Sequence, residues 1–141
     1  MLHLEPVRAE DFEALFALRM AAMHDGLARL GPVNIERSRT RFSGQFEPEF
    51  MSWIVREGQR IGFTKLQPRD GHLHIDHLFI RPDAQCGGAG GWVLDRAKAQ
   101  GLDITLSALK LSEANTFYLR HGFVQTGEGE LDIHYRWSAP R

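Results

Sequence analysis

The chain has a single cysteine, Cys86, so no internal disulfide can form and a reducing compartment is the natural setting. No apolar run approaches the length needed to cross a bilayer, and no membrane partner is expected. Met1-Leu2-His3-Leu4-Glu5 lacks the basic stretch and apolar run of a signal peptide, so a cytoplasmic protein is expected. Neither sign of charge dominates, the formal net charge being −1. Arg37, Arg39 and Arg41 make a local basic spot, but Lys and Arg form no block, which argues against a nucleic-acid partner. Repeats, low-complexity tracts and Gly/Ser/Pro-rich linkers are also missing. The 141 residues are enough for one core and short for two, so residues 1–141 read as a single domain.

What is present is an ordinary globular composition, 43% hydrophobic and 25% charged. Leu2-His3-Leu4 alternates and ends at Pro6, as a short strand does. Phe12, Leu15, Phe16, Met20, Met23, Leu27 and Leu30 recur at helical spacing until Gly31-Pro32. Ile35 to Phe46 reads as a shorter helix, ending near Gly44 or before Pro48. Trp53-Ile54-Val55 and Ile61 to Leu66 form a hairpin about Glu57-Gly58-Gln59, and Asp70-Gly71 signals a second turn. From His72 to Ile80 the alternation slips by one between Ile75 and Leu78, which predicts a β-bulge near Asp76-His77. Then follow a glycine-dense loop, a helix opening at Trp92, a strand at Ile104 to Leu106, a short helix at Ala114 to His121, and strands at Phe123-Val124 and Ile133 to Trp137. Hairpins mixed with βαβ crossovers define an α+β class with a mixed sheet.

The chemistry concentrates between Leu78 and Gly91, read as strand, glycine loop and helix. A helix start offers unpaired N–H groups at the positive end of its dipole, and glycines let a ligand approach the backbone. Together they make a phosphate cradle that needs no lysine. A P-loop would place Lys after the glycines, and none stands there; a nucleotide binder of that type is disfavoured. A dinucleotide fingerprint would need Gly at position 93, which is Val, and an N-terminal βαβ unit.

Gln85-Cys86-Gly87-Gly88-Ala89-Gly90 follows a strand and a proline in the pattern Gln/Arg-x-x-Gly-x-Gly/Ala. The triplet Leu78-Phe79-Ile80 precedes it, and Ala114, Tyr118 and Gly122-Phe123 follow at Ala-x-x-x-Tyr-x-x-x-Gly-Phe spacing. In these segments, and in element order from Leu2 to Trp137, the chain resembles the GNAT superfamily of N-acetyltransferases. That resemblance implies a mixed, mostly antiparallel sheet of six to seven strands with helices on both faces. It implies acetyl-CoA as co-substrate, a primary amine of a small molecule or protein as acceptor, and no metal. The alternative is a non-catalytic acyl-CoA sensor on the same fold. Homodimers are common in the family, and the sequence does not decide whether this chain forms one.

The resemblance also distributes roles. Gln85, Cys86, Gly87, Gly88, Ala89, Gly90 and Gly91 would line the pyrophosphate. Leu78, Phe79 and Ile80 would offer main-chain groups to the pantetheine arm. Tyr118 would contact the cofactor and give a proton to the departing thiolate. The family often has Gly at position 86 and Asn at 111, where this chain has Cys86 and Leu111; Asn115 is the candidate replacement for the lost polar contact. Asp76 and His77 are the candidates for the general base. Alternation lets only one of them face the site; histidine titrates near neutrality, whereas Asp76 would need its pKa raised by burial. The acceptor would meet the Met23-to-Arg41 region and Glu128 to His134, where Asp25, Glu36, Glu128, Glu130 and Asp132 could attract a cationic amine. A solvated surface is the plainer reading of those acids, as incidental histidines are of His72, His74 and His77. Cys86 has no histidine partner and is not a nucleophile candidate.

Overall fold

Local signals set most of the elements. In a computed structural model that describes residues 1–141, Glu57-Gly58 and Asp70-Gly71 all take positive φ and close two tight hairpins, joining β2 (Met51–Arg56), β3 (Gln59–Arg69) and β4 (His72–Ile80). The Asn34 side chain accepts from Arg37 N–H at 2.9 Å and starts α2 (Ile35–Gln45). Ahead of it, α1 (Phe12–Arg29) stops where Gly31 takes a φ of 137°. β1 (Leu2–Pro6) pairs with β2. The second half runs α3 (Ala89–Lys98), β5 (Ile104–Leu109), α4 (Ala114–Arg120), β6 (Val124–Glu128) and β7 (Asp132–Trp137).

The strands form one seven-stranded sheet in the order β1-β2-β3-β4-β5-β7-β6. Every neighbouring pair is antiparallel except β4 with β5. On one face α3 and α4 cover Leu73, Ile75, Ile104 and Leu106, with Leu94, Ala97 and Phe123 sealing the layer. On the other, α1 and α2 bring Leu15, Phe16 and Phe42 against Trp53, Val55 and Phe63. Leu15, Phe42, Phe63 and Leu94 are wholly buried, so truncating any one to Ala would cost roughly 2–5 kcal/mol. This is the expected mixed, mostly antiparallel sheet with helices on both faces.

Two irregularities of β4 position the site. Its register against β3 steps from Lys65↔His77 to Leu66↔Ile75, which leaves Asp76 as the extra residue of a bulge. Against β5 it pairs only through Leu73↔Ile104, His74↔Thr105 and Ile75↔Leu106; beyond Ile75 the strands part. The bulge also overturns the expectation that only one of Asp76 and His77 faces a given side. Asp76 meets Lys65 and His74, while the His77 ring meets Phe42 and Phe63, all on the face covered by α1 and α2.

Candidate active site

Where β4 leaves β5, its edge is bare. Arg81 N–H donates to Ile61 O at 2.7 Å, and Phe79 and His77 lie at the same phase opposite Phe63 and Lys65. Antiparallel alternation therefore turns the main-chain groups of Leu78 and Ile80 away from β3, into the gap. Phe79, expected among the groups offered to a ligand, instead directs its amide and carbonyl to β3. Ile80 O accepts from the Gln85 side chain at 3.0 Å, so this glutamine clips the loop to the strand. Leu78 N–H, Leu78 C=O and Ile80 N–H remain for a ligand.

The loop is tighter than its glycine content suggests. Pro82–Gly87 makes successive 3-10 turns, and Gly88, at a φ of 80°, turns the chain directly into α3. That helix begins at Ala89 rather than at Trp92, so Ala89, Gly90 and Gly91 form its first turn. Trp92 N–H is the first to bond back, to Gly88 O at 3.0 Å, which leaves the preceding N–H groups without helical partners. They lie at the positive end of the α3 dipole, next to the bare strand edge. Arg56, not singled out from the sequence, donates from Nη2 to Gly87 O at 2.8 Å and sets a cation beside this turn. No local pattern marks it, because thirty-one residues separate the partners. Cys86 is exposed.

Tyr118, on α4, is buried among Phe117, Phe123 and Tyr135. Burial alone pushes its pKa above the usual phenol range, so it stays protonated at neutral pH. Asn115 does not replace the absent residue at position 111 as a ligand. Its Nδ2 donates to Leu109 O (2.8 Å) and Ser112 O (2.9 Å), and its Oδ1 accepts from the Tyr135 hydroxyl at 2.7 Å. The side chain is spent on holding the turn after β5. Leu111 sits in that turn with a φ of 66°, a conformation that asparagine tolerates better than leucine.

The two base candidates do not fit that role. Burial alone would raise Asp76, but hydrogen bonds from His74 and Lys65, with their charges, outweigh it and hold the carboxyl well below the usual range. Its contacts are short: Lys65 Nζ at 3.2 Å, His74 Nε2 at 3.0 Å and Arg69 Nη2 at 3.5 Å. His77 goes the other way. Burial, helped by the charge of Arg19, lowers its pKa to about 3, so it is neutral and weakly basic. Its ring lies 5.4 Å from that of Phe42. Over the same Phe42 ring, at 5.5 Å, lies the guanidinium of Arg19, a buried residue of α1. No three His, Cys, Asp or Glu side chains converge as a metal site would require.

Of the acids thought able to attract an amine, Glu128 pairs with Lys110 at 2.9 Å, and Asp25 lies beside His24 on the surface.

A sheet that parts beside a glycine-led helix start is the architecture of acyl-CoA-dependent N-acyltransferases. The comparisons with known proteins agree. A family model described as "Acetyltransferase (GNAT) domain" matches residues 48–125, more than half of the chain. The chain belongs to the GNAT family and is an acetyl-CoA-dependent acyltransferase. It is 28% identical over 141 residues to the peptidyl-lysine N-acetyltransferase YjaB of Salmonella typhimurium, a match covering 94% of this chain and 90% of that one. The Escherichia coli protein of the same name is 29% identical over 126 residues, covering 87% and 80%. Among solved structures, the PaiA N-acetyltransferase of Thermoplasma acidophilum in complex with coenzyme A superposes with a TM-score of 0.78 at 14% identity, covering 98% and 99%. The solution structure of apo YjaB from Escherichia coli gives 0.74 at 23% identity, covering 96% and 95%. These superpositions speak for the fold.

Proposed function

We propose that the chain, acting as one domain, transfers the acetyl group of acetyl-CoA to a primary amine of a small molecule or protein, by direct attack with both substrates bound. One observation carries this reading: the bare edge of β4 and the unpaired N–H groups at the start of α3 adjoin, so an extended thioester can run from one to the other. Main-chain amides from Gly87 to Gly91 take the diphosphate, with Arg56 beside them. Leu78 and Ile80 hold the arm, and Leu78 N–H polarises the thioester carbonyl. The neutral amine attacks the carbonyl carbon, the carbon–sulfur bond breaks, Tyr118 gives its proton to the departing sulfur, and the proton shed by the new amide nitrogen returns to Tyr118. Holding both reactants supplies much of the rate.

With Asp76 ion-paired and His77 locked neutral, the ammonium proton leaves to water before attack. The named activity of the YjaB proteins makes a lysine side chain a natural first acceptor to try. The test is calorimetry with acetyl-CoA, followed by thiol release against simple amines and lysine peptides. Binding together with amine-dependent thiol release is expected. Binding with no release for any amine would leave a sensor, and no binding would end the assignment.

A further inference from the structure

Three buried side-chain atoms have no hydrogen-bond partner: Arg19 Nε, Gln45 Oε1 and His77 Nε2. Two of them, on Arg19 and His77, are neighbours. Arg19 and His77 flank the Phe42 ring, and Gln45 lies one turn beyond Phe42 on the same helix. Arg19 is 6% exposed, yet its one polar contact is a long one, Nη1 to Met20 Sδ at 3.9 Å, and it takes part in no ion pair. A guanidinium carries its charge under all ordinary conditions, and a buried charge without a partner is destabilising by several kcal/mol.

The surrounding acids are already engaged. Glu47 meets Lys65 at 2.7 Å, and Asp76 is shared among Lys65, His74 and Arg69. Against these two carboxylates stand Arg19, Lys65, Arg69 and the nearby Arg41, with His77 neutral; the region is short of negative charge. Nη2 of Arg19 has no protein partner and, unlike Nε, is not sealed from solvent.

The missing anion is not the cofactor's phosphate. The α3 helix start belongs to the opposite face of the sheet, and an acetyl group has no charge. The Arg19 cluster instead borders His77, the residue before Leu78, on the face that α1 and α2 cover. We infer that Arg19 receives a carboxylate of the acceptor, so that the preferred acceptor is an amine that also carries an acid group. This deepens, and rests on, the proposed transfer to a primary amine. The acid could belong to a free amino acid or to an acidic residue beside a lysine. The same arginine would hold either and would exclude an amine flanked by positive charge.

The test uses matched pairs: 4-aminobutyrate against 4-aminobutyramide, and a lysine peptide with a neighbouring Glu against the same peptide with Gln. Thiol release is measured with acetyl-CoA for the wild type, Arg19→Met and Arg19→Lys. A charge-assisted contact predicts a KM about tenfold or more lower for the acid member of one pair. Arg19→Met should erase the preference with kcat changed far less, and Arg19→Lys should keep part of it. The pair that shows the effect identifies the source of the acid. Equal KM values for acid and amide in both pairs overturn the inference while leaving the transferase reading intact. If no amine releases thiol, that reading falls instead, and melting-temperature shifts with 4-acetamidobutyrate and its amide still decide the role of Arg19. A poorly folded Arg19→Met leaves the wild-type comparison decisive.

Discussion

The Phe117 ring occupies the space that a side chain on Gly90 would need: a Cβ there would lie 2.9 Å from its tip. His121 crowds Gly91 in the same way, at 3.0 Å. The first turn of α3 is therefore seated against α4, the helix that carries Tyr118. Gly90→Ala should push Phe117 outward and shift the neighbouring tyrosine, at an overpacking cost of about 1–3 kcal/mol. The expected result is a several-fold lower kcat and weaker binding in calorimetry with acetyl-CoA. Unchanged values for both would show that this contact does not set the site.

Tyr118→Phe keeps the ring and removes only the hydroxyl. Burial keeps that hydroxyl protonated and makes it a weaker acid, so it serves the departing thiolate through a hydrogen bond along which the proton moves as charge builds on sulfur. Loss of a positioned acid should lower kcat by about 100-fold, with affinity for acetyl-CoA and the melting temperature little changed. Single-turnover thiol release reads the effect. A kcat within twofold of wild type would remove Tyr118 from the chemistry.

With Asp76 held ionised by its cations and His77 neutral and weakly basic, neither should take the proton, and the pH–rate profile should follow the acceptor. A lysine-like amine has a pKa of about 10.4, so log(kcat/KM) should rise with a slope near one from about pH 7 to 9. An inflection between about pH 6 and 7 would instead reveal a histidine that takes the proton.

His77 makes stability fall with acid. Its pKa drops from 6.5 to about 3 on folding, so between those values the unfolded chain binds the extra proton. Stability should decline as pH falls below about 6.5, by up to roughly 1.4 kcal/mol per pH unit from this residue. Denaturant unfolding from pH 7 to 4, compared with His77→Phe, isolates the contribution. A variant with the same pH slope as wild type would refute it.

The turns, the bulge and the seven strands were legible because each is encoded within a few neighbouring residues. Glu57-Gly58, Asp70-Gly71 and the slipped alternation after Ile75 need no distant partner. The candidate site was legible as a segment, from Leu78 to Gly91, but not in its detail. Which edge groups stay free depends on the phase of pairing with β3, and that phase assigns Phe79 to the sheet and Leu78 to the gap. Asn115 looked available because its partners Leu109 and Tyr135 meet it only in the folded turn. Asp76 would need burial to raise its pKa before it could act as a base; the cations that lower it instead come from β3 and from two residues back on β4. Arg19 reads as one more polar position of an amphipathic helix until Phe42 and His77 close around it.

The parting of β4 from β5 has a mechanical side. Three rungs, Leu73↔Ile104 to Ile75↔Leu106, are the whole seam between an N-terminal leaf of four strands and a C-terminal leaf of three. A chain-like ligand lodged beyond Ile75 would supply the absent rungs itself. Turnover would then alternately lace and unlace the two leaves, and the stiffness of the whole sheet would depend on whether the enzyme is loaded.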